Sequence, residues 1–127
     1  MKKAKQSKNQ IKWLKKPEAH NYPAALSYLT LVYPPDVAAS FVKKLKAAPI
    51  TEFKAKDIFR ASKLSLLGVS NMHVEKNRKK IKKGIALSPI LLVRDPEDCK
   101  VIIADGYHRM CGVYAFDEDS VMPCQIV

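Results

Sequence analysis

A continuous apolar run, Val101-Ile102-Ile103-Ala104, stops at Asp105-Gly106, and Tyr107-His108-Arg109 follows at once. The run is short and rich in β-branched residues, which predicts a buried strand. From Tyr107 to Phe116, Met110, Val113, Tyr114 and Ala115 recur at helical spacing. The chain therefore turns from strand to helix at Asp105-Gly106. A second apolar run, Pro89-Ile90-Leu91-Leu92-Val93, predicts another strand, and Asp95-Pro96-Glu97-Asp98 predicts the turn after it. Lys100 to Ala104 then returns as its hairpin partner.

The remaining segments are assigned around this pair. Asn21-Tyr22-Pro23 opens a helix over about Ala24 to Val32, since proline suits a first helical turn. Pro34-Pro35-Asp36 breaks it and starts a second helix, whose stripe is Val37, Phe41, Val42, Leu45 and Ala48. The two read as an N-terminal helical hairpin over residues 23–48. Partial alternation over Glu52 to Arg60 predicts a strand, and Gly68 marks a turn. Ser70 or Asn71 caps a helix of sequence MHVEKNRKKIKK, which Gly84 ends. Pro123 to Val127 closes the chain as a strand. The fold class is α+β, a small mixed β-sheet with packed helices. At 127 residues the chain has room for one core. It divides into a flexible basic arm over residues 1–16, in which Ile11, Trp13 and Leu14 can dock locally, and a single domain over 17–127.

Charge is distributed unevenly. Residues 1–16 hold seven lysines and no acid, residues 76–83 hold six basic side chains, and from Arg94 onward acids prevail. The excess points to a polyanionic partner, with Lys76, Arg78, Lys79, Lys80, Lys82 and Lys83 as candidates to contact a DNA backbone; a solvated helix face produces the same pattern. No apolar run approaches the roughly 20 residues of a membrane span, so no membrane partner is expected. The basic start has no apolar segment after it, which reads against a secretory signal. Cys99, Cys111 and Cys124 have no metal-ligand spacing and fit reduced, mostly buried thiols of a cytoplasmic protein. No metal ligands are assigned.

The strand-to-helix turn is where chemistry concentrates. A helix start presents unpaired backbone N–H groups to an anion, and Gly106 permits a sharp turn and a close approach. The N–H groups of Tyr107, His108 and Arg109 are the candidate phosphate donors. Arg109 can grip phosphate oxygens bidentately, and His108 titrates near neutrality and suits proton transfer. Asp105 either caps the helix or takes a catalytic role, orienting a nucleophile or helping to hold Mg²⁺.

From about residue 53 to 127 the order of elements resembles the ParB/sulfiredoxin-like superfamily. The resemblance rests on Pro89-Ile90-Leu91-Leu92-Val93, on the strand entering Asp105-Gly106-Tyr107-His108-Arg109, and on Met122-Pro123-Cys124-Gln125-Ile126-Val127. It implies a nucleotide phosphate held at the turn, from ATP, ADP or CTP with Mg²⁺. It also implies an opposite wall formed by Arg60 and Lys63 after the first strand and by Ser70, Asn71 and His73 at the next helix start. Partition proteins carry a Gly-Glu-Arg-Arg box, and sulfiredoxins a cysteine where Tyr107 stands, so neither chemistry is expected. The free-serine-kinase-like branch, with Asp-Gly-His-His-Arg, differs from this box only at Tyr107.

Three function classes follow. One is a nucleotide-dependent phosphotransferase or hydrolase with Asp105 and His108 as catalytic residues. Another is a ParB-like nuclease or DNA-binding module. The third is a non-catalytic interaction domain.

Overall fold

The central sheet is built where the apolar runs lie. The structure, a computed structural model, describes residues 10–65 and 71–127. Its elements are α1 (Asn21–Val32), α2 (Pro35–Ala47), β1 (Thr51–Lys54), α3 (Ala55–Ser62), α4 (Met72–Lys82), β2 (Ile90–Asp95), β3 (Lys100–Asp105), α5 (Tyr107–Phe116) and β4 (Val121–Ile126). A single 3₁₀ turn, Pro96–Asp98, joins β2 to β3. The sheet order is β1-β4-β2-β3. Among the described strands β2 and β4 pair in parallel and the other two pairs are antiparallel, so the sheet is mixed.

Ile90 to Val93 is buried at every position because both faces of the sheet are covered. Ile90, Leu92, Ile103, Met122 and Cys124 pack with Ile58 of α3, Val74 and Ile81 of α4, and Met110 and Val113 of α5. Leu91, Val93, Ile102 and Ala104 pack on the other side with Ala25 and Leu29 of α1 and Val42 and Leu45 of α2. A buried polar group fastens this second layer. The Ser88 hydroxyl donates to Asn21 Oδ1, and the Glu18 N–H donates to both, at 3.0 and 3.1 Å. The Tyr22 hydroxyl donates to Gln125 Oε1 (2.6 Å), while Gln125 Nε2 donates to the Ala48 carbonyl (2.8 Å).

The strand expected over Glu52 to Arg60 is only four residues long, and the chain becomes helical at Ala55. Ala55, Ile58 and Ser62 are the buried positions, a spacing of three and four that places one helical face on the core. Tertiary packing of that face outweighs the partial alternation of Glu52 to Lys56. Asn71 caps α4, accepting from the His73 and Val74 N–H groups at 2.9 and 3.3 Å. Gly84, at φ +72°, closes α4: its N–H bonds the Ile81 carbonyl, and the Ile85 N–H bonds that of Lys80. Leu66, Leu67, Gly68 and Ser70 lie outside the described residues.

Before α1, Trp13 forms a parallel bridge with Leu87, with backbone bonds of 2.8 and 2.9 Å on either side of it. The second part of the basic N-terminal stretch is therefore laid against the segment that follows α4. Among the described residues no helix is long and apolar enough to cross a membrane. The three cysteines form no disulfide, and burial pushes the Cys124 thiol up to about 12, which makes it a poor nucleophile.

Candidate functional site

The site forms where β3 ends. The register of β2 against β3 shifts between Leu91 and Leu92, giving β3 one extra residue just before Asp105. Such a bulge re-aims the residues after it. Gly106 then takes φ +113°, and a Cβ there would sit 2.7 Å from Ile90 Cβ. Both the backbone angle and the contact with the core require glycine. α5 starts immediately, and among the described residues no side chain caps it. The Met110 N–H bonds back to the Gly106 carbonyl, which leaves the first-turn N–H groups facing outward with the positive end of the helix dipole.

Asp105 does not take the capping role considered for it. Its carboxylate accepts from Arg109 Nη2 at 3.0 Å, one turn along, and both side chains are mostly covered, at 18% and 17% exposure. Arg109, which lines the cleft, is thereby held in place. Its Nε is buried and has no hydrogen-bond partner among the described residues. Tyr107 turns its hydroxyl to the Ser65 carbonyl, tying the start of α5 to the segment after α3. Burial, with a lesser contribution from Cys111, raises its phenol above the ordinary value.

α4 supplies the second wall. Gly112 allows close packing: a Cβ at that position would lie 3.1 Å from Asn77 Cβ. One turn earlier on each helix, the rings of His73 and His108 lie 4.8 Å apart. These matched offsets mean that α4 and α5 run in the same direction, so their N-terminal ends share one side of the domain. A cleft of about 220 Å³ lies between them, lined by His73, Lys76, Asn77 and Lys80 from α4 and by Asp105 to Arg109. Burial lowers the His108 pKa, and the neighbouring His73 lowers it further. His108 is therefore neutral at physiological pH, and an arriving anion would reverse the direction of that shift.

The expected site residues divide in two. Gly106, Tyr107, His108, Arg109, His73, Lys76 and Lys80 meet at the cleft. Arg60 does not line it; it is 77% exposed and pairs with Asp57 at 3.0 Å. Lys63 closes α3 in a left-handed conformation, also outside the cleft. Arg78 pairs with Glu75 at 3.4 Å, and Lys79, Lys82 and Lys83 face solvent elsewhere on α4. Ser70 lies outside the described residues. Asn77 joins the site without having been singled out, although its offset of four from His73 and three from Lys80 places it on that face.

In comparisons with known proteins, no family model, curated protein or solved structure matches this chain. The site is therefore read from its own chemistry. Among the described residues no group of three or more His, Cys, Asp or Glu is placed to hold a metal ion. Among the described residues Asp105 is the one carboxylate lining the cleft, and it already serves Arg109. Mg²⁺ at this site would have to be carried chiefly by the phosphates of a ligand. A larger groove of about 1010 Å³ opens beside β1 and β4, but Glu52, Asp117 and Asp119 line it. Those acids disfavour an anion there, so the smaller cationic cleft is the better candidate.

Proposed function

We propose that this chain is a ParB/sulfiredoxin-like domain that binds the phosphates of a nucleotide in the cleft between α4 and α5. The observation that carries this reading is the uncapped start of α5, with His108 in its first turn, facing Lys76, Lys80 and His73 across one small cleft. Backbone N–H groups of Tyr107, His108 and Arg109 would hold one phosphate at the helix start. Lys76 and Lys80, on the facing wall, would balance the charge of the next. The nucleotide itself is inferred from the resemblance in Pro89–Val93, Asp105–Arg109 and Met122–Val127. The order of elements from β1 to β4 is compatible with it.

In this reading Asp105 is a positioning residue. It fixes the Arg109 guanidinium at the cleft before a phosphate arrives. Neutral His108 donates one N–H to a phosphate oxygen, or accepts a proton from a hydroxyl or water brought beside it. That combination suits phosphoryl transfer or hydrolysis better than redox chemistry, and Tyr107 in place of a nucleophilic cysteine agrees with this. Calorimetric titration with ATP, CTP, ADP and inorganic phosphate, with and without Mg²⁺, tests the proposal. Saturable binding that falls at least tenfold in Arg109→Ala and His108→Ala supports it. Absence of binding to every one of these ligands rejects it.

A further inference from the structure

The fold joins two basic stretches that are 60 residues apart in the chain. The Trp13–Leu87 bridge and its flanking backbone bonds bring Lys12 over the end of α4. Lys12 Nζ lies 3.7 Å from the point where a Cβ on Gly84 would stand. From there Lys83, Lys82 and Lys79 continue along the solvent side of α4 to Lys76, which is exposed at the rim of the cleft. Among the described residues none of these five lysines is ion-paired, and the acid of α4, Glu75, is turned to Arg78. Like charges one turn apart, as at Lys79 and Lys83, repel each other. The negative end of the helix dipole relieves this only over the last turn, so Lys76 gains nothing from it.

We propose that this face, from Lys76 through Lys83 to Lys12, docks the phosphate backbone of duplex DNA. The proposal does not depend on the cleft being a nucleotide site. Three observations favour a duplex. The lysines are spread along one helix, about 10 Å of length between Lys76 and Lys83, which matches successive phosphates and not one small anion. Among the described residues this face carries no exposed Phe, Tyr or Trp; Tyr28, Phe53 and Phe116 are exposed on other elements, and Trp13 is partly buried against the core. Single strands are held largely by stacking on such rings. Of the acids from Asp95 onward, Asp95, Glu97 and Asp98 sit at the β2–β3 turn, Asp117 and Asp119 line the groove beside β1 and β4, and Asp105 is paired with Arg109; Glu75 is the one acid of α4, so lysines dominate this face. Lysines acting as point charges on phosphates give binding without base readout.

Fluorescence anisotropy of a labelled mixed-sequence duplex with the full chain tests the idea. About five phosphate contacts predict a logarithmic salt slope of roughly −4 to −5, a loss of several hundredfold between about 50 and 200 mM salt. The double variant Lys79→Glu/Lys83→Glu should weaken binding at least about tenfold and make the slope shallower by about 2. Lys43→Glu/Lys44→Glu on α2 makes the same change in net charge and should cost no more than about threefold, because distant charges are screened. Melting curves of both variants establish that each is folded. The proposal fails if the native chain does not bind at low salt, or if the two double variants weaken binding equally. It also fails if His108→Ala abolishes duplex binding, which would place the duplex in the cleft.

Discussion

Replacing Asp105 with asparagine keeps the side-chain volume and an acceptor for Arg109 Nη2, but removes one negative charge at the cleft. Two consequences of opposite sign follow. The Asp105–Arg109 pair is mostly covered, with Arg109 Nε unpartnered beside it. Its weakening falls between the small cost at an exposed pair and the several kcal/mol of breaking a buried one, and with the acceptor kept about 1 kcal/mol is expected. For a chain of this length that lowers the melting temperature by about 4 °C. Phosphate affinity should move the other way. An anion on the first turn of α5 would lie on the order of 6 Å from the carboxylate, and at an effective dielectric of about 40–80 the lost repulsion is about 0.7–1.4 kcal/mol. Affinity for inorganic phosphate or ATP then rises about three- to tenfold at low ionic strength. Differential scanning fluorimetry and calorimetric titration on the same sample read both effects. A folded Asp105→Asn variant with unchanged or weaker affinity would refute the placement of phosphate beside this residue.

Other expectations concern the groups around this pair. Gly106→Ala forces a side chain to φ +113° against Ile90, and should cost about 2–4 kcal/mol in urea denaturation; a loss below about 1 kcal/mol contradicts the close contact. Burial and the neighbouring His73 hold the folded His108 pKa below the ordinary imidazole value of about 6.5, so the unfolded chain takes up its proton first as pH falls. Stability from this group is complete above about 6.5 and declines as pH drops toward the folded value. His108→Gln should flatten that part of the profile, measured as melting temperature against pH. A bound phosphate raises the His108 pKa, so its affinity should increase as pH falls through this window, and the ring resonances of His108 report the shift directly. Asn21→Ala removes the acceptor shared by Ser88 and the Glu18 N–H and should cost about 2–3 kcal/mol. A neutral result would mean that water replaces the side chain there.

Strands β2 and β3 were legible because each contains a short apolar run with β-branched residues, which a sheet covered on both faces accommodates. The turn at Asp105-Gly106 was equally plain, since strand spacing gives way to helical spacing within two residues. What local pattern does not carry is partner choice. Asp105 has a side chain suited to capping, but the Arg109 guanidinium one turn away competes for it and prevails. Arg60 is attractive as a phosphate ligand until α3 replaces the expected strand and brings Asp57 beside it. Within the basic run of α4, composition treats six side chains alike, whereas packing of Gly112 against Asn77 selects Lys76 and Lys80 for the cleft. The meeting of Lys12 with Gly84 depends on a single bridge between residues far apart in sequence, and no periodicity announces it.

The central claim concerns three backbone groups, and amide resonances observe them one by one. In a ¹⁵N-labelled full-length chain titrated with ATP, the amides of Tyr107, His108 and Arg109 should shift saturably and together. Inorganic phosphate should move the same three amides with weaker affinity. Those of Lys79 and Lys83, outside the cleft, should stay nearly still. If ATP leaves the first turn of α5 unperturbed, or moves only the outer face of α4, the phosphates do not bind where the geometry of this cleft puts them.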